Sequence, residues 1–127
     1  NTMLALVVED EIIKLATSLV SQDAKSVIYF IQDLSHRGEN LSNALKDLSS
    51  LFHKISIAQI IATESDKTIQ TLSTQISNFD LQIFYQMSIN GSKDMALAPS
   101  EQIGFEMTLL RMLAFRSDVQ PNLKKKR

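Results

Sequence analysis

Residues 40–62 read NLSNALKDLSSLFHKISIAQIIA. With 3.6 residues per turn, Leu41, Ala44, Leu45, Leu48, Leu51, Phe52 and Ile55 share one face. Asn40 stands where an N-cap belongs. The spacing predicts a helix on the order of 33 Å long. Its last two turns change character: Ile57, Ile60 and Ile61 fall on what had been the polar side. That end therefore calls for cover on two faces. Gln59 sits within the original apolar stripe, and burial there requires hydrogen-bond partners.

Helical patterns extend to both sides of this stretch. Residues 9–20 place Ile12, Ile13, Ala16, Leu19 and Val20 at helical spacing, and Glu9, Asp10 and Glu11 read as acid at the positive end of the helix dipole. Residues 23–36 are rich in β-branched and aromatic side chains, so a strand competes. The flanking polar residues favour helix, with Gly38 as its C-cap. Residues 66–77 carry a thin stripe of Ile69, Leu72 and Ile76, as expected of a surface helix or a partly ordered arm. Residues 80–89 read as a further helix, with a strand again competing, capped by Ser77 or Asn78 and stopped by the Asn-Gly-Ser at 90–92. Ser100 caps the last helix.

That last helix contains FEMTLLRMLAF, residues 105–115, in which eight of eleven residues are apolar. A surface helix needs only one apolar stripe. On a wheel starting at Ile103, Leu109, Leu113, Leu110, Met107 and Ala114 fill a broad arc, extended by Phe105 and Met112. Glu106 falls inside the arc, while Gly104, Thr108, Arg111 and Phe115 lie opposite. A carboxylate in that position has to meet a cation, accept backbone N–H groups or lie at an interface. Arg37, Lys54 and a residue of another subunit are all open as its partner. The simpler reading is a solvated arginine and an edge glutamate. The sharper one, which the two-faced end of residues 40–62 favours, is a helix buried by its own domain on one side and by a neighbouring subunit on the other. These patterns predict an all-α protein, a compact irregular bundle of about five to six helices. No internal repeat is found, and no heptad register lasting three turns.

The chain has 127 residues, no cysteine and a formal net charge of -1. It is the size of one domain, disulfides and thiolate metal sites are excluded, and nothing pulls it globally toward nucleic acid. No apolar run approaches the roughly 20 residues of a membrane span, and the first residues lack the basic region of a signal peptide. The absence of an initiator Met points to a piece of a longer protein. There is no phosphate loop and no dinucleotide fingerprint. His36 and His53 have no metal-ligand spacing and no partnered nucleophile. No catalytic, cofactor or metal residue is expected in this chain. The basic run at 124–127 reads as a solvated exit or the start of a basic linker. Phe84 and Tyr85 diverge by about 100° on a helix, which fits core packing better than a stacking platform.

Several spaced segments together resemble a family. LFHKISIAQ (51–59), QIFYQ (82–86), GSKDM (91–95), the Ala98–Pro99 pair and above all GFEMTLLRMLAF (104–115) are similar, in this order, to domain III of the bacterial DNA polymerase III gamma/tau subunits. Phe52 stands where leucine is common, and Lys54 and Ser92 where arginine is common. Lys54 keeps a charge but loses the bidentate fork, and Ser92 loses both. The resemblance implies a clamp-loader collar-like bundle: one helical collar domain over 1–120, then a basic tail or linker start over 121–127. It implies oligomerisation with other gamma/tau, delta and delta-prime subunits in the bacterial cytoplasm. ATP and Mg would belong to absent AAA+ modules, and those modules would handle the beta clamp and primed DNA. The alternative is a helical protein- or DNA-docking module of another complex.

The candidate polar positions at core or interface are His53, Lys54, Gln59, Gln82, Tyr85, Glu106 and Arg111. The candidate apolar ones are Ile57, Ile60, Ile61, Met107, Leu110, Leu113 and Phe115.

Overall fold

The computed structural model of the chain describes residues 2–61 and 66–115. Among these residues six α-helices follow one another: α1 (Thr2–Ser21), α2 (Ala24–His36), α3 (Leu41–Ile60), α4 (Lys67–Gln75), α5 (Asn78–Asp94) and α6 (Glu101–Phe115), with a 3₁₀ turn at Met95–Leu97 before α6. Among the described residues there is no strand. The fold is all-α, as the apolar spacing predicts.

Short polar side chains start the helices. Asn40 accepts from the Asn43 N–H at 3.0 Å, Ser77 from Asp80 at 3.0 Å and Ser100 from Ile103 at 3.2 Å. Asp66 accepts from Thr68 at 2.9 Å and Ile69 at 3.3 Å, so α4 has a defined start. Each such cap is worth roughly 1 kcal/mol. Gly38, with φ +74°, ends α2 in a Schellman motif: Glu39 N–H reaches Leu34 O at 3.1 Å and Gly38 N–H reaches Ser35 O at 3.1 Å. The end of α1 repeats this arrangement with Gln22 at φ +63°. Gln22 Nε2 then donates to Leu113 O at 2.7 Å, which ties the α1–α2 turn to the last turn of α6.

Helix α3 is the centre of the bundle and packs on α1, α4, α5 and α6. Its Leu45, Leu48, Phe52 and Ile55 are fully buried. Phe52 meets Phe84 of α5 with ring centroids 5.7 Å apart, and Leu15 and Leu19 of α1 close the core from the other side. Burying one such side chain contributes about 1.5–3 kcal/mol, so this central face dominates the stability. Inside the α3–α5 contact, Ser49 Oγ lies 2.6 Å from Ser88 Oγ, and Ser88 donates to Tyr85 O at 2.7 Å. The buried hydroxyls are thus satisfied.

The structure corrects four expectations. Helix α1 begins at Thr2, so Glu9, Asp10 and Glu11 lie within it rather than at its positive end. Glu11 instead pairs with Arg37. Helix α4 is no loose arm: Ile69 and Leu72 are buried, and so is Ile76 beyond its end. Helix α5 does not stop at residues 90–92 but continues to Asp94. Gly91 is buried there against Thr108 of α6, and close packing outweighs the roughly 1 kcal/mol that glycine costs a helix.

The fourth correction concerns α6. The wheel placed Ile103, Met107 and Leu110 in the buried arc and Gly104 and Thr108 opposite. The structure buries Gly104, Phe105, Thr108, Leu109 and Met112. Small residues decide the outcome. A Cβ on Gly104 would meet Met95 Cγ at 3.0 Å and Ala98 Cβ at 3.1 Å. The Gly104–Thr108 side can therefore approach its neighbours more closely than a leucine face could. Ile103, Met107 and Leu110 are left exposed at 43%, 46% and 37%.

Candidate assembly surface

At the end of α3, Ile57, Ile60 and Ile61 are 46%, 75% and 52% exposed. Nothing among the described residues supplies the second cover that the sequence called for. Gln59 holds this end in place. Its Nε2 donates to Ser73 O at 3.2 Å and Ile76 O at 2.8 Å, and its Oε1 accepts from Asn78 Nδ2 at 2.9 Å. One glutamine thereby joins α3 to the α4–α5 connection. One turn earlier, Gln82 Nε2 of α5 donates to Ser56 Oγ at 2.8 Å. Exposed Phe79 lies one turn before Gln82 on α5. His53 is exposed and Tyr85 half-buried, and both border a hollow of about 120 Å³ over Phe52 and Leu81.

Lys54 is exposed on another side of α3, at a cleft of about 490 Å³ that Ile12, Leu34, Leu51 and Ile69 also line. Asp47 and Asp66 border the same cleft.

On α6 the half-buried Glu106 does not meet a cation from Arg37. Arg37 is committed to Glu11, to Asp33 at 3.1 Å and to Glu39 at 3.1 Å. Partial burial draws that guanidinium's pKa down, but its bonds to Asp33 and Glu11 outweigh this and hold it above the ordinary arginine value. Glu106 accepts instead from Gln102 Nε2 at 3.2 Å, and Gln102 Oε1 accepts from Ser35 Oγ at 2.6 Å. This chain of polar groups runs from the end of α2 to the rim of the exposed α6 stripe. Arg111 is exposed and has Asp94 at 3.9 Å, the outer limit of an ion pair. Leu113 and Phe115 are half-buried and pack on the domain's own core.

The candidate residues therefore separate into distinct places. Ile57, Ile60 and Ile61 share the end of α3, with His53, Gln82 and Tyr85 on the adjoining α3–α5 side. Met107 and Leu110 share the outer stripe of α6 with Ile103, which the candidate set omitted, and Glu106 and Arg111 flank them. Lys54 belongs to neither group. The sequence reading also missed exposed Phe79 and Leu97, which are 64% and 86% accessible. Their signal was available: Phe79 lies in the first turn after the Ser77 cap, and Leu97 precedes Ala98–Pro99 in a turn.

Among the described residues, no group of three His, Cys, Asp or Glu could hold a metal ion. Among them, too, no helix is long and apolar enough to cross a membrane. The basic run at 124–127 and the 121–127 tail lie outside the described residues.

A family model described as DNA polymerase III subunits gamma and tau domain III matches residues 1–127. The chain is 34% identical over 119 residues to the DNA polymerase III subunit gamma of Buchnera aphidicola subsp. Baizongia pistaciae, covering 86% of this chain and 32% of that protein. It is 31% identical over 122 residues to the DNA polymerase III subunit tau of Salmonella typhimurium, covering 91% of this chain and 19% of that protein. This chain spans about a third of the gamma relative and about a fifth of the tau relative. In fold it is similar to the DNA clamp loader delta protein of Bacillus subtilis, with a TM-score of 0.74 at 16% identity over 85% of this chain and 37% of that one. The bundle thus has the clamp-loader collar-like fold that the resemblance implied. With a family match along its whole length, the chain belongs to the domain III family of the DNA polymerase III gamma and tau subunits.

Proposed function

We propose that this domain is the oligomerisation collar of a clamp-loader motor subunit. The observation that carries the reading is apolar surface left over after the core has closed. Ile57, Ile60 and Ile61 on α3 and Ile103, Met107 and Leu110 on α6 remain exposed, while 25 apolar residues among those described are buried. Single exposed leucines are ordinary, but grouped apolar patches on a soluble domain mark association sites. Obligate interfaces use such surface, with aromatic and methionine side chains at their centres.

In this reading the partners are further gamma/tau subunits together with delta and delta-prime, in the bacterial cytoplasm with the replication machinery. The collar supplies rigidity and performs no chemistry. ATP and Mg bind in AAA+ modules elsewhere in the parent protein, and those modules open the beta clamp and close it on primed DNA. A helical bundle with a single glutamine tying three of its elements at the α3 end suits a part that must hold still while attached modules move.

The test is co-purification of the full-length protein with its delta and delta-prime partners. Ile57→Asp with Ile60→Asp should abolish the complex and leave the domain's melting temperature unchanged, because both side chains are exposed. A complex of undiminished yield and stoichiometry would remove the α3 end from the interface.

A further inference from the structure

Ile103, Met107, Leu110 and Ala114 follow one another along α6 at spacings of four, three and four. All four are exposed, while Phe105, Leu109 and Met112 of the same helix are completely buried. Such spacing gives the alternating d and a positions of a heptad seam. The sequence hides the register because α6 is apolar nearly all round, and only exposure picks it out.

In this register Glu106 occupies g and Arg111 occupies e. They flank the stripe on opposite edges, about 140° apart around the axis, so they cannot meet within one helix. Between parallel, in-register helices, a g residue meets the e residue five positions further along its neighbour. Glu106 and Arg111 have that separation. Antiparallel pairing would set the Glu106 edge against another Glu106 edge.

The geometry points to a second copy of this chain as the occupant of this face. The α6 helices of the two copies lie parallel and in register, with Glu106 of one paired to Arg111 of the other. Both charged groups are placed for this. Glu106 is held by Gln102, which Ser35 fixes in turn. The Arg111 side chain is 52% accessible, and its nearest carboxylate among the described residues is 3.9 Å away. A cyclic assembly with the α6 stripes facing its axis brings the same residues of neighbouring copies together in parallel. The seam is only about 17 Å long, so it fixes orientation and register while larger contacts supply affinity. It rests on the reading of the domain as an assembly module, and adds to that reading a helix, a direction and a residue pair.

The test uses the full-length protein and sedimentation equilibrium. Glu106→Arg and Arg111→Glu each place like charges across the seam and should weaken self-association about tenfold. The double variant Glu106→Arg/Arg111→Glu should return it to within about threefold of the original. A second arm keeps the test valid where a reversal fails to fold. Ile103→Cys, in a stretch with no cysteine of its own, should form a disulfide with the same position of a neighbouring copy on mild oxidation, read by peptide mass mapping. Antiparallel helices would put residue 103 opposite residue 114 instead. Single reversals without mutual rescue, or an assembled protein lacking the 103–103 cross-link, would overturn the seam and leave the assembly reading standing. A protein that stays monomeric in every form would remove both.

Discussion

Gly91 of α5 lies against Thr108 of α6 so closely that a Cβ built on the glycine would stand 2.6 Å from Thr108 Cγ2 and 3.0 Å from Thr108 Cβ. Thr108 cannot turn away freely, because its hydroxyl donates to Gly104 O at 2.9 Å. Gly104 is itself pressed against Met95 and Ala98. Two glycines and one threonine thus set the position of α6, and with it which apolar residues face outward. Gly91→Ala should cost about 3 kcal/mol in overpacking and regain about 1 kcal/mol of helix propensity. A net loss of about 2 kcal/mol is expected by denaturant titration. Thr108→Ala in the same chain should recover part of it. A Gly91→Ala protein as stable as the original would mean that α5 and α6 do not cross here.

Gly38 poses a different problem. A Cβ there meets nothing within 4 Å, but φ is +74°. Gly38→Ala should therefore lose about 1 kcal/mol through the left-handed backbone alone. The loss should register as a lower melting temperature with no change in self-association.

The Ser49–Ser88 contact predicts non-additivity. Either hydroxyl alone keeps a carbonyl partner, since Ser49 Oγ is 3.1 Å from Leu45 O and Ser88 Oγ is 2.7 Å from Tyr85 O. Each single alanine variant should cost about 1 kcal/mol. The double variant should cost clearly less than the sum, because no hydroxyl is then left facing a vacated site. Strict additivity in a double-mutant cycle would contradict the contact.

Acid should weaken the start of α2. Hydrogen bonds from the Ser26 hydroxyl and backbone N–H hold the Asp23 pKa below its ordinary value of 3.8. A depressed carboxylate stabilises the fold at pH values above 3.8 and loses that contribution as pH falls through its lowered folded value. Asp23→Asn should flatten the dependence of stability on pH below about 4. Urea titrations between neutral pH and that range would show it. An unaltered acid limb would contradict the cap.

Helix type and most helix starts were legible in the sequence, because apolar spacing and capping residues are local properties. Asn40, Ser77 and Ser100 all cap as their side chains require. The orientation of α6 was not legible. Its wheel was centred on the leucines, while the packed side was decided by how closely Gly104 and Thr108 let other elements approach. Such proximity depends on residues distant in sequence, as does the course of α5 past Gly91. At the end of α3, the two-faced pattern of Ile57, Ile60 and Ile61 was visible from the start, but only the closed core shows that no part of the described chain covers them. Glu106 was recognised as out of place on an apolar arc. Its partner Gln102 lies one helical turn away, and the Ser35 that fixes Gln102 comes from α2.

Sedimentation velocity of the full-length protein with both patches altered, Ile60→Asp on α3 and Met107→Asp on α6, tests the collar assignment most directly. The original protein should sediment as an oligomer, and the double variant as a monomer with an unchanged domain melting transition. A double variant that sediments as the same oligomer would contradict that assignment.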